Sequence, residues 1–290
     1  PILGVAPFDG AQEVNPLTTP TVEVLDGRIT AVSLVDDWGN VVPGEFSPDR
    51  TSWQPTERLN FARSYSMTVD SLSASGVELS RASTFDTLSP YNYVHPYLEV
   101  QGGFAINEKV KYGVGTVVRA HFDEPIADKA LAERNMTVTA DPPVSGSWFW
   151  VDDYIAHFRP ERYYAAGTRV SVALNMFGLK LGEGLYGQEN AAANFTIGDS
   201  HIAIANDITK QISVFDNGKL VRTMPTSMGR GGTTTVGDKT FSWYTPPGVY
   251  TLLDKAEVIV MDSSTYGVPA GSAVSYRRKV AWATRISTDG

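Results

Sequence analysis

Short runs of alternating polar and apolar residues dominate the first 90 residues, and they restrict the fold more than any other feature of the chain. Residues 22–27, 29–35, 64–69 and 83–87 alternate in the manner of β-strands, with turn-forming residues at intervals of about ten. No long stretch repeats with the 3.6-residue period of a helix. We therefore predict an antiparallel β-sandwich over residues 1–92.

The plan of this segment returns in residues 93–199. The tripeptide 53–55, Trp-Gln-Pro, has a counterpart in Phe-Arg-Pro at 158–160, and a strand and a turn follow in each case. Each segment also closes on a strand that begins with Phe, at Phe85 and Phe195. These separations, 105 and 110 residues, predict two copies of one domain. Residues 126–134 depart from the pattern, because they can form a short helix.

Composition excludes several kinds of site. The chain has no cysteine, which excludes a disulfide scaffold, a thiolate metal site and a cysteine nucleophile within these residues. Its four histidines are isolated, so no metal site is predicted. No glycine-rich stretch matches a phosphate-binding loop, and no cofactor is predicted.

Charge and hydropathy add further expectations. The net charge is −8 and no basic block occurs, so we expect no binding to nucleic acid. We also expect no membrane-spanning helix within these residues, since no run of eighteen apolar residues occurs. We expect no signal peptide in them either, since they do not open with a charged segment followed by an apolar one.

From residue 200 the pattern changes to an incomplete β-rich unit. Three strands are predicted at 202–205, 211–215 and 219–224, with a hairpin turn at Asp-Asn-Gly, 216–218. A mobile loop is predicted at 225–232. Further strands are predicted after residue 250, at 258–261 and at 280–286. The apolar run 258–261 breaks into loop residues at 262–269, which place a tyrosine, Tyr266, beyond a rigid strand.

This third segment resembles the L,D-transpeptidase catalytic domain, also called the YkuD domain. The matching stretches are the hairpin 201–224, Met-Pro-Thr-Ser-Met-Gly at 224–229, Thr-Pro-Pro-Gly-Val-Tyr at 245–250, and residues 261–269, 276–277 and 281–284. The likeness is greatest to mycobacterial and related actinobacterial enzymes, in which immunoglobulin-like modules precede the catalytic domain. Residues 93–199 resemble the second of these modules, at 112–115, 122–126, 146–148 and 159–160. For 1–92 the resemblance is architectural.

The resemblance implies a mainly β fold in three parts. Two immunoglobulin-like β-sandwiches, 1–92 and 93–199, are followed at 200–290 by the N-terminal part of an L,D-transpeptidase catalytic domain. It also implies a function. The family cross-links peptidoglycan by acyl transfer through a cysteine paired with a histidine base, in a motif Ser-His-Gly-Cys-x-Asn. Peptidoglycan stem peptides are the implied partners and carbapenems the implied inhibitors.

This sequence departs from the family at the nucleophile. It has no cysteine and no Ser-His-Gly, and in relatives that motif follows the Trp-Ala-Thr strand near residue 284. We therefore assign no catalytic residue and expect these residues alone to be inactive. Either the sequence is part of a longer protein or the natural protein lacks the segment. The first explanation is favoured, because half a sheet leaves an unpaired edge and an uncovered core.

Three residues are predicted to contact substrate. Tyr266 lies where the family has a lid over the acyl-binding pocket; a turn tyrosine packed on its own loop is an equal alternative. Met261 precedes that lid, although a core methionine fits its spacing slightly better. Tyr276 can line the outer cavity or pack on the surface. Ser263 and Ser264 have no His and Asp near them in sequence, so a serine triad is rejected.

Two functions follow. The first is an enzyme that forms 3-3 cross-links, located outside the cytoplasm and membrane-anchored through a segment outside these residues, with the sandwiches as a stalk. The alternative is a non-catalytic wall-binding or spacer protein built from the same modules. A third and weaker hypothesis, an adhesion module, is supported by the immunoglobulin-like architecture alone.

Overall fold

Strands account for almost all regular structure, as the alternating pattern predicts. The structure, a computed structural model, describes residues 2–287 apart from the side chain of Tyr266. These residues hold 27 strands, one short α-helix and one 3-10 helix. No helix among them has the length and hydrophobicity needed to cross a membrane.

The first segment forms two sheets around one core. One sheet has the order β1-β3-β6-β5 and the other β2-β8-β7-β4, where the strands are β1 (Ile2–Ala6), β2 (Ala11–Val14), β3 (Thr21–Leu25), β4 (Gly27–Asp36), β5 (Gly44–Phe46), β6 (Ser52–Pro55), β7 (Ser64–Ser73) and β8 (Glu78–Thr87). Both sheets bury one face, because side chains alternate along a strand. Val22 and Trp53 of the first sheet meet Met67 and Phe85 of the second in one cluster.

The second segment repeats this arrangement. Its larger sheets are β11-β10-β13-β16-β15 and β12-β20-β17-β14, and a small sheet has the order β18-β19-β9. Val118 and Phe158 pack with Val170 and Phe195 in its core. The strands are β9 (Asn92–Val94), β10 (Pro96–Val100), β11 (Phe104–Ala105), β12 (Lys111–Tyr112), β13 (Val118–Phe122), β14 (Met136–Asp141), β15 (Gly146–Trp150), β16 (Ile155–Pro160), β17 (Arg169–Leu174), β18 (Lys180–Gly182), β19 (Leu185–Gly187) and β20 (Ala191–Ile197).

One four-stranded sheet has the same topology in both segments. The order β2-β8-β7-β4 corresponds to β12-β20-β17-β14. In each sheet the first two strands of this order, β2 with β8 and β12 with β20, pair in parallel. Pro55 and Pro160 end the corresponding strands β6 and β16, while Phe85 and Phe195 lie on β8 and β20. The prediction of two similar sandwiches is confirmed.

The chain divides into two compact units that do not coincide with the predicted segments. Residues 123–135 and 175–190 belong to the unit that contains the residues up to Pro96, and the remainder forms the other unit. The predicted boundaries at 92 and 199 therefore stay predictions. In the first unit lies α1 (Lys129–Arg134), whose N-cap is Asp128, so the helix begins three residues later than the predicted 126–134.

The third segment has three separate small sheets. They are β21-β22-β23, β24-β25 and β26-β27, formed by β21 (His201–Asn206), β22 (Gln211–Asp216), β23 (Lys219–Pro225), β24 (Thr233–Val236), β25 (Lys239–Ser242), β26 (Asp254–Asp262) and β27 (Arg277–Arg285). The turn predicted at 216–218 is confirmed, with φ of 48° at Asn217 and 80° at Gly218. The strand predicted after residue 250 begins only at Asp254.

Little of this segment is buried. Among its described residues, only Ser263 and Val268 are buried, each 1% exposed. Part of the predicted mobile loop is tied to the chain beyond it, since Gly231 N–H donates to the Trp243 carbonyl at 3.1 Å and Trp243 N–H to that of Gly232 at 3.0 Å. The described residues of this third segment, 200–287, form three separate small sheets and no closed barrel or sandwich.

Candidate functional site

The predicted site residues lie around the loop 263–276, which joins β26 to β27. The two strands pair antiparallel, with Asp262 opposite Arg277 and Met261 opposite Arg278. The hairpin therefore brings together both ends of the loop, and with them Met261 and Tyr276. The loop opens with the 3-10 helix Ser263–Tyr266.

Asp262 caps this short helix. Its Oδ1 accepts the backbone N–H of Ser264 at 3.0 Å and the hydroxyl of Ser264 at 2.7 Å. Arg277 Nε lies 3.6 Å from Oδ2. These interactions favour the charged carboxylate and hold the pKa of Asp262 below its usual value. The hydrogen bond from the Ser264 backbone has the largest effect and the Arg277 guanidinium the smallest. An acidic cap is thereby fixed where free N–H groups of the helix need an acceptor.

Ser263 closes the loop from inside. Its buried hydroxyl accepts the N–H of Tyr276 at 2.9 Å and donates to the carbonyl of Tyr276 at 3.2 Å. The Ser263 backbone also donates to the Tyr276 carbonyl at 3.0 Å and accepts the N–H of Val268 at 3.1 Å. Gly267, at φ of 86°, makes the left-handed turn after the helix. The loop is consequently held by its own hydrogen bonds.

The structure places two of the predicted substrate residues in this loop and the third, Met261, in the strand before it. Met261 is the penultimate residue of β26 and is 39% exposed. Tyr276 is half-buried, with its main chain fixed by Ser263. Tyr266 ends the 3-10 helix, but its side chain lies outside the described residues. Their contacts with a substrate stay predictions. Ser263 is structural here, in agreement with the rejection of a serine triad.

Sequence reasoning missed a second feature, a cavity of about 800 Å³ in the second compact unit. Its lining includes Phe149, Tyr163, Tyr250 and Leu253 together with His157 and Arg159. Such a mixture of aromatic and polar groups is typical of ligand pockets. The signal in the sequence was the basic and aromatic run 158–164, but residues from distant segments complete the cavity only in the folded chain.

Two polar side chains that line this cavity, Gln101 and His157, interact with neighbouring groups. Gln101 Nε2 donates to the Gly115 carbonyl and to Thr251 Oγ1, both at 3.2 Å. Burial lowers the pKa of His157, and the nearby Arg119 guanidinium lowers it further. The Asp152 carboxylate has a smaller effect in the opposite direction. Within residues 2–287, no group of three or more His, Asp or Glu side chains is arranged to hold a metal ion.

Comparison with known proteins identifies the family. The profile of the L,D-transpeptidase catalytic domain matches residues 200–286, and that of a bacterial Ig domain matches 11–180. L,D-transpeptidase 2 of Mycobacterium tuberculosis is 40% identical over 290 residues, which are all of this chain and 67% of that protein. The chain belongs to the L,D-transpeptidase family. The resemblance found in the sequence is thus confirmed.

Other relatives agree with this L,D-transpeptidase assignment. L,D-transpeptidase 5 of Mycobacterium tuberculosis is 32% identical over 294 residues, covering 100% of this chain and 61% of that protein. A solved structure of an LD transpeptidase in complex with imipenem is 28% identical, with a TM-score of 0.52. The aligned part covers 67% of this chain and 78% of the chain in that structure. This L,D-transpeptidase chain therefore spans about two thirds of the length of the curated relatives.

Proposed function

We propose that this L,D-transpeptidase chain takes part in forming 3-3 cross-links in peptidoglycan by cysteine acyl transfer. The observation that carries the proposal is the 40% identity to L,D-transpeptidase 2 along the whole chain. The match at 200–286 to the catalytic domain supports it, because function belongs to the site rather than to the sandwich architecture.

The reaction has two acyl-transfer steps. A cysteine thiolate attacks the carbonyl that joins meso-diaminopimelate to D-alanine in a donor stem peptide, which forms a thioester, and D-alanine leaves with a proton. An amine on an acceptor stem then attacks the thioester, which forms the new amide and restores the thiol. These 290 residues contain no cysteine, so none of them is the nucleophile of this proposal.

The residues of the loop would bind and position the stem peptide. Met261 and Tyr276 flank a loop fixed by Ser263, so a substrate that contacts them would meet a surface formed before binding. Tyr266 would contribute from the end of the 3-10 helix. The sandwiches would serve as a stalk that holds the 200–290 segment within the cell wall.

Partners and location complete the proposal. Because a similar structure is a complex with imipenem, we include carbapenems among the ligands. The substrate places the protein outside the cytoplasm, anchored to the membrane through a segment outside these residues.

Acylation by imipenem tests this function. The complete translated product of the reading frame that contains this sequence, whatever its length, is incubated with imipenem and measured by intact mass spectrometry. We expect one covalent adduct per molecule. The 290-residue chain is the matched control and should gain none, because it has no thiol. A complete product that neither gains an adduct nor joins stem peptides would instead support a non-catalytic spacer.

A further inference from the structure

The turn between β22 and β23 contains the one asparagine-glycine pair of the sequence, Asn217-Gly218. Both residues are exposed, with φ angles of 48° and 80°. Within residues 2–287, the Gly218 N–H donates no hydrogen bond. When a glycine follows asparagine, its backbone nitrogen can attack the side-chain amide, because glycine has no side chain to hinder the approach. The turn therefore presents a free nucleophilic nitrogen beside an asparagine side chain.

A neighbouring segment activates the side-chain amide of Asn217. Its Oδ1 accepts the backbone N–H of Ser200 at 2.9 Å. A donor at this oxygen stabilises the negative charge that develops there when a nucleophile attacks Cγ. The folded chain thus combines the free nitrogen of Gly218 with a polarised carbonyl group.

The same side chain holds the residue at which the chain enters β21. Ser200 N–H donates to Asn217 Oδ1, and the Asn217 N–H donates in return to the Ser200 carbonyl at 2.7 Å. Two residues earlier, Gly198 N–H donates to the Tyr112 carbonyl at 2.8 Å. The segment 198–200 is therefore held at both ends, and a chemical change at Asn217 acts on the end at Ser200.

We propose that Asn217 is a site of spontaneous modification in the folded chain, and that its conversion into isoaspartate releases Ser200. The Gly218 nitrogen bonds to Asn217 Cγ, the bond from Cγ to Nδ2 breaks, and ammonia leaves with the proton that the nitrogen has lost. Water then opens the cyclic imide at either of its carbonyl groups, which gives aspartate or isoaspartate. Water is the only co-reactant.

The two products differ in their effect on Ser200. In isoaspartate the main chain runs through the former side chain and gains a methylene group, so the backbone no longer fits the two positive φ angles of the turn. Aspartate keeps the original main chain and an acceptor oxygen in place of Asn217 Oδ1. We therefore expect isoaspartate to break both bonds to Ser200 and aspartate to preserve them.

Asn206 provides a control within the same sheet. It is exposed at the end of β21, and its Oδ1 accepts the backbone N–H groups of Ile208 and Thr209 at 2.9 and 3.1 Å, but Asp207 follows it instead of glycine. The 290-residue chain is incubated slightly above neutral pH, and mass spectrometry of its peptides follows both asparagines. We expect aspartate and isoaspartate at position 217 before any product at 206. Equal rates at the two positions, or no product at 217, would overturn the proposal.

Two variants test the assigned nucleophile. Gly218→Ala places a side chain beside the attacking nitrogen and should slow conversion at 217 severalfold; its Cβ would contact no other group of the described chain. Asp207→Gly places a glycine after Asn206, so it should start conversion there and leave the rate at 217 unchanged. An unchanged rate in Gly218→Ala together with no product at 206 in Asp207→Gly would overturn the role of the glycine nitrogen.

Hydrogen exchange tests the release of Ser200. NMR follows the Ser200 amide in the fresh chain, in the aged chain and in Asn217→Asp. Exchange should be faster in the isoaspartyl fraction and unchanged in Asn217→Asp, because only the first loses the two bonds. Unchanged exchange in the isoaspartyl fraction, or equally fast exchange in Asn217→Asp, would overturn release through the main chain. Neither measurement depends on the proposed function, which the imipenem experiment tests separately.

Discussion

The two sandwiches and the third segment are built from the same strand patterns but bury very different shares of their side chains. In the second sandwich, Val118 and Leu174 are 0% exposed. In the third segment, Val258 is 58% exposed on an equally regular strand. A strand pattern therefore predicts where hydrogen-bonded ladders form, whereas burial depends on whether a second layer covers the apolar face.

The loop 263–276 shows how the third segment is ordered without a large core. Its order comes from Ser263, Asp262 and Gly267, that is, from polar bonds and turn geometry. In the sandwiches, order comes from packing of apolar side chains. We therefore expect the two regions to respond differently to the same kind of substitution.

Loss of one buried leucine should show the largest difference. Leu174→Ala removes a fully buried side chain from the second sandwich and should lower the free energy of unfolding by about 2–5 kcal/mol. Leu220→Ala, at a site 52% exposed in β23, should change it by no more than about 0.5 kcal/mol. Urea denaturation measures both. Similar losses would mean that Leu220 lies in a core as important as that of the sandwich.

Two glycines test the rigidity of each region. A Cβ on Gly187 would overlap the main-chain oxygen of Met176, and one on Gly229 would overlap that of Trp243. Gly187→Ala in the buried sheet should cost about 1–3 kcal/mol of global stability. Gly229→Ala should instead shift the loop and leave global stability nearly unchanged. Denaturation midpoints and amide chemical shifts distinguish these responses, and a large global loss in Gly229→Ala would contradict the comparison.

Removal of the buried serine hydroxyl should have a smaller and local effect. Ser263→Ala deprives the N–H of Tyr276 of its acceptor, which should cost about 1 kcal/mol and speed exchange of that amide roughly fivefold. The control is Ser264→Ala, which removes an exposed hydroxyl bound to Asp262 and leaves both Ser263 bonds intact. Hydrogen exchange measured by NMR reports both, and unchanged exchange at Tyr276 would refute a closing role for Ser263.

Acid should give the smallest effect. Because the pKa of Asp262 is lower in the folded chain than its ordinary 3.8, its contribution to order is present above the unfolded pKa and is lost as pH falls through the folded pKa. An NMR titration of its carboxyl carbon should show a midpoint below 3.8, with loosening of the Ser264 amide in parallel. Asp262→Asn should abolish this step. A midpoint at or above 3.8 would show that the cap does not form.

Much of the fold was predictable because its signals are local. The strands at 64–69 and 83–87 alternate, and the Asp-Asn-Gly turn at 216–218 needs the positive φ angles that Asn217 and Gly218 adopt. The repeat was predictable from the corresponding positions of Phe85 and Phe195. The grouping of 123–135 and 175–190 with the first unit was not, because it depends on contacts between residues far apart in the sequence.

The candidate site was predictable only in part. The family likeness pointed to Met261, Tyr266 and Tyr276 as substrate contacts, and the structure places them at or beside the loop 263–276. The likeness gave no sign that Ser263 holds both the N–H and the carbonyl of Tyr276, since a serine in a polar loop has many alternative partners. The cavity near His157 escaped prediction because residues from distant segments complete it only in the folded chain.

The sequence by itself determined the strand pattern, the two similar sandwiches and the family, because alternation, turn residues and motifs are properties of neighbouring residues. The tertiary structure alone decided which arginine of β27 has a carboxylate opposite it among residues 2–287. Arg277 and Arg278 are adjacent in sequence, but antiparallel register sets one against Asp262 and the other against Met261. Register is a relation between two strands, so one strand's residues cannot specify it.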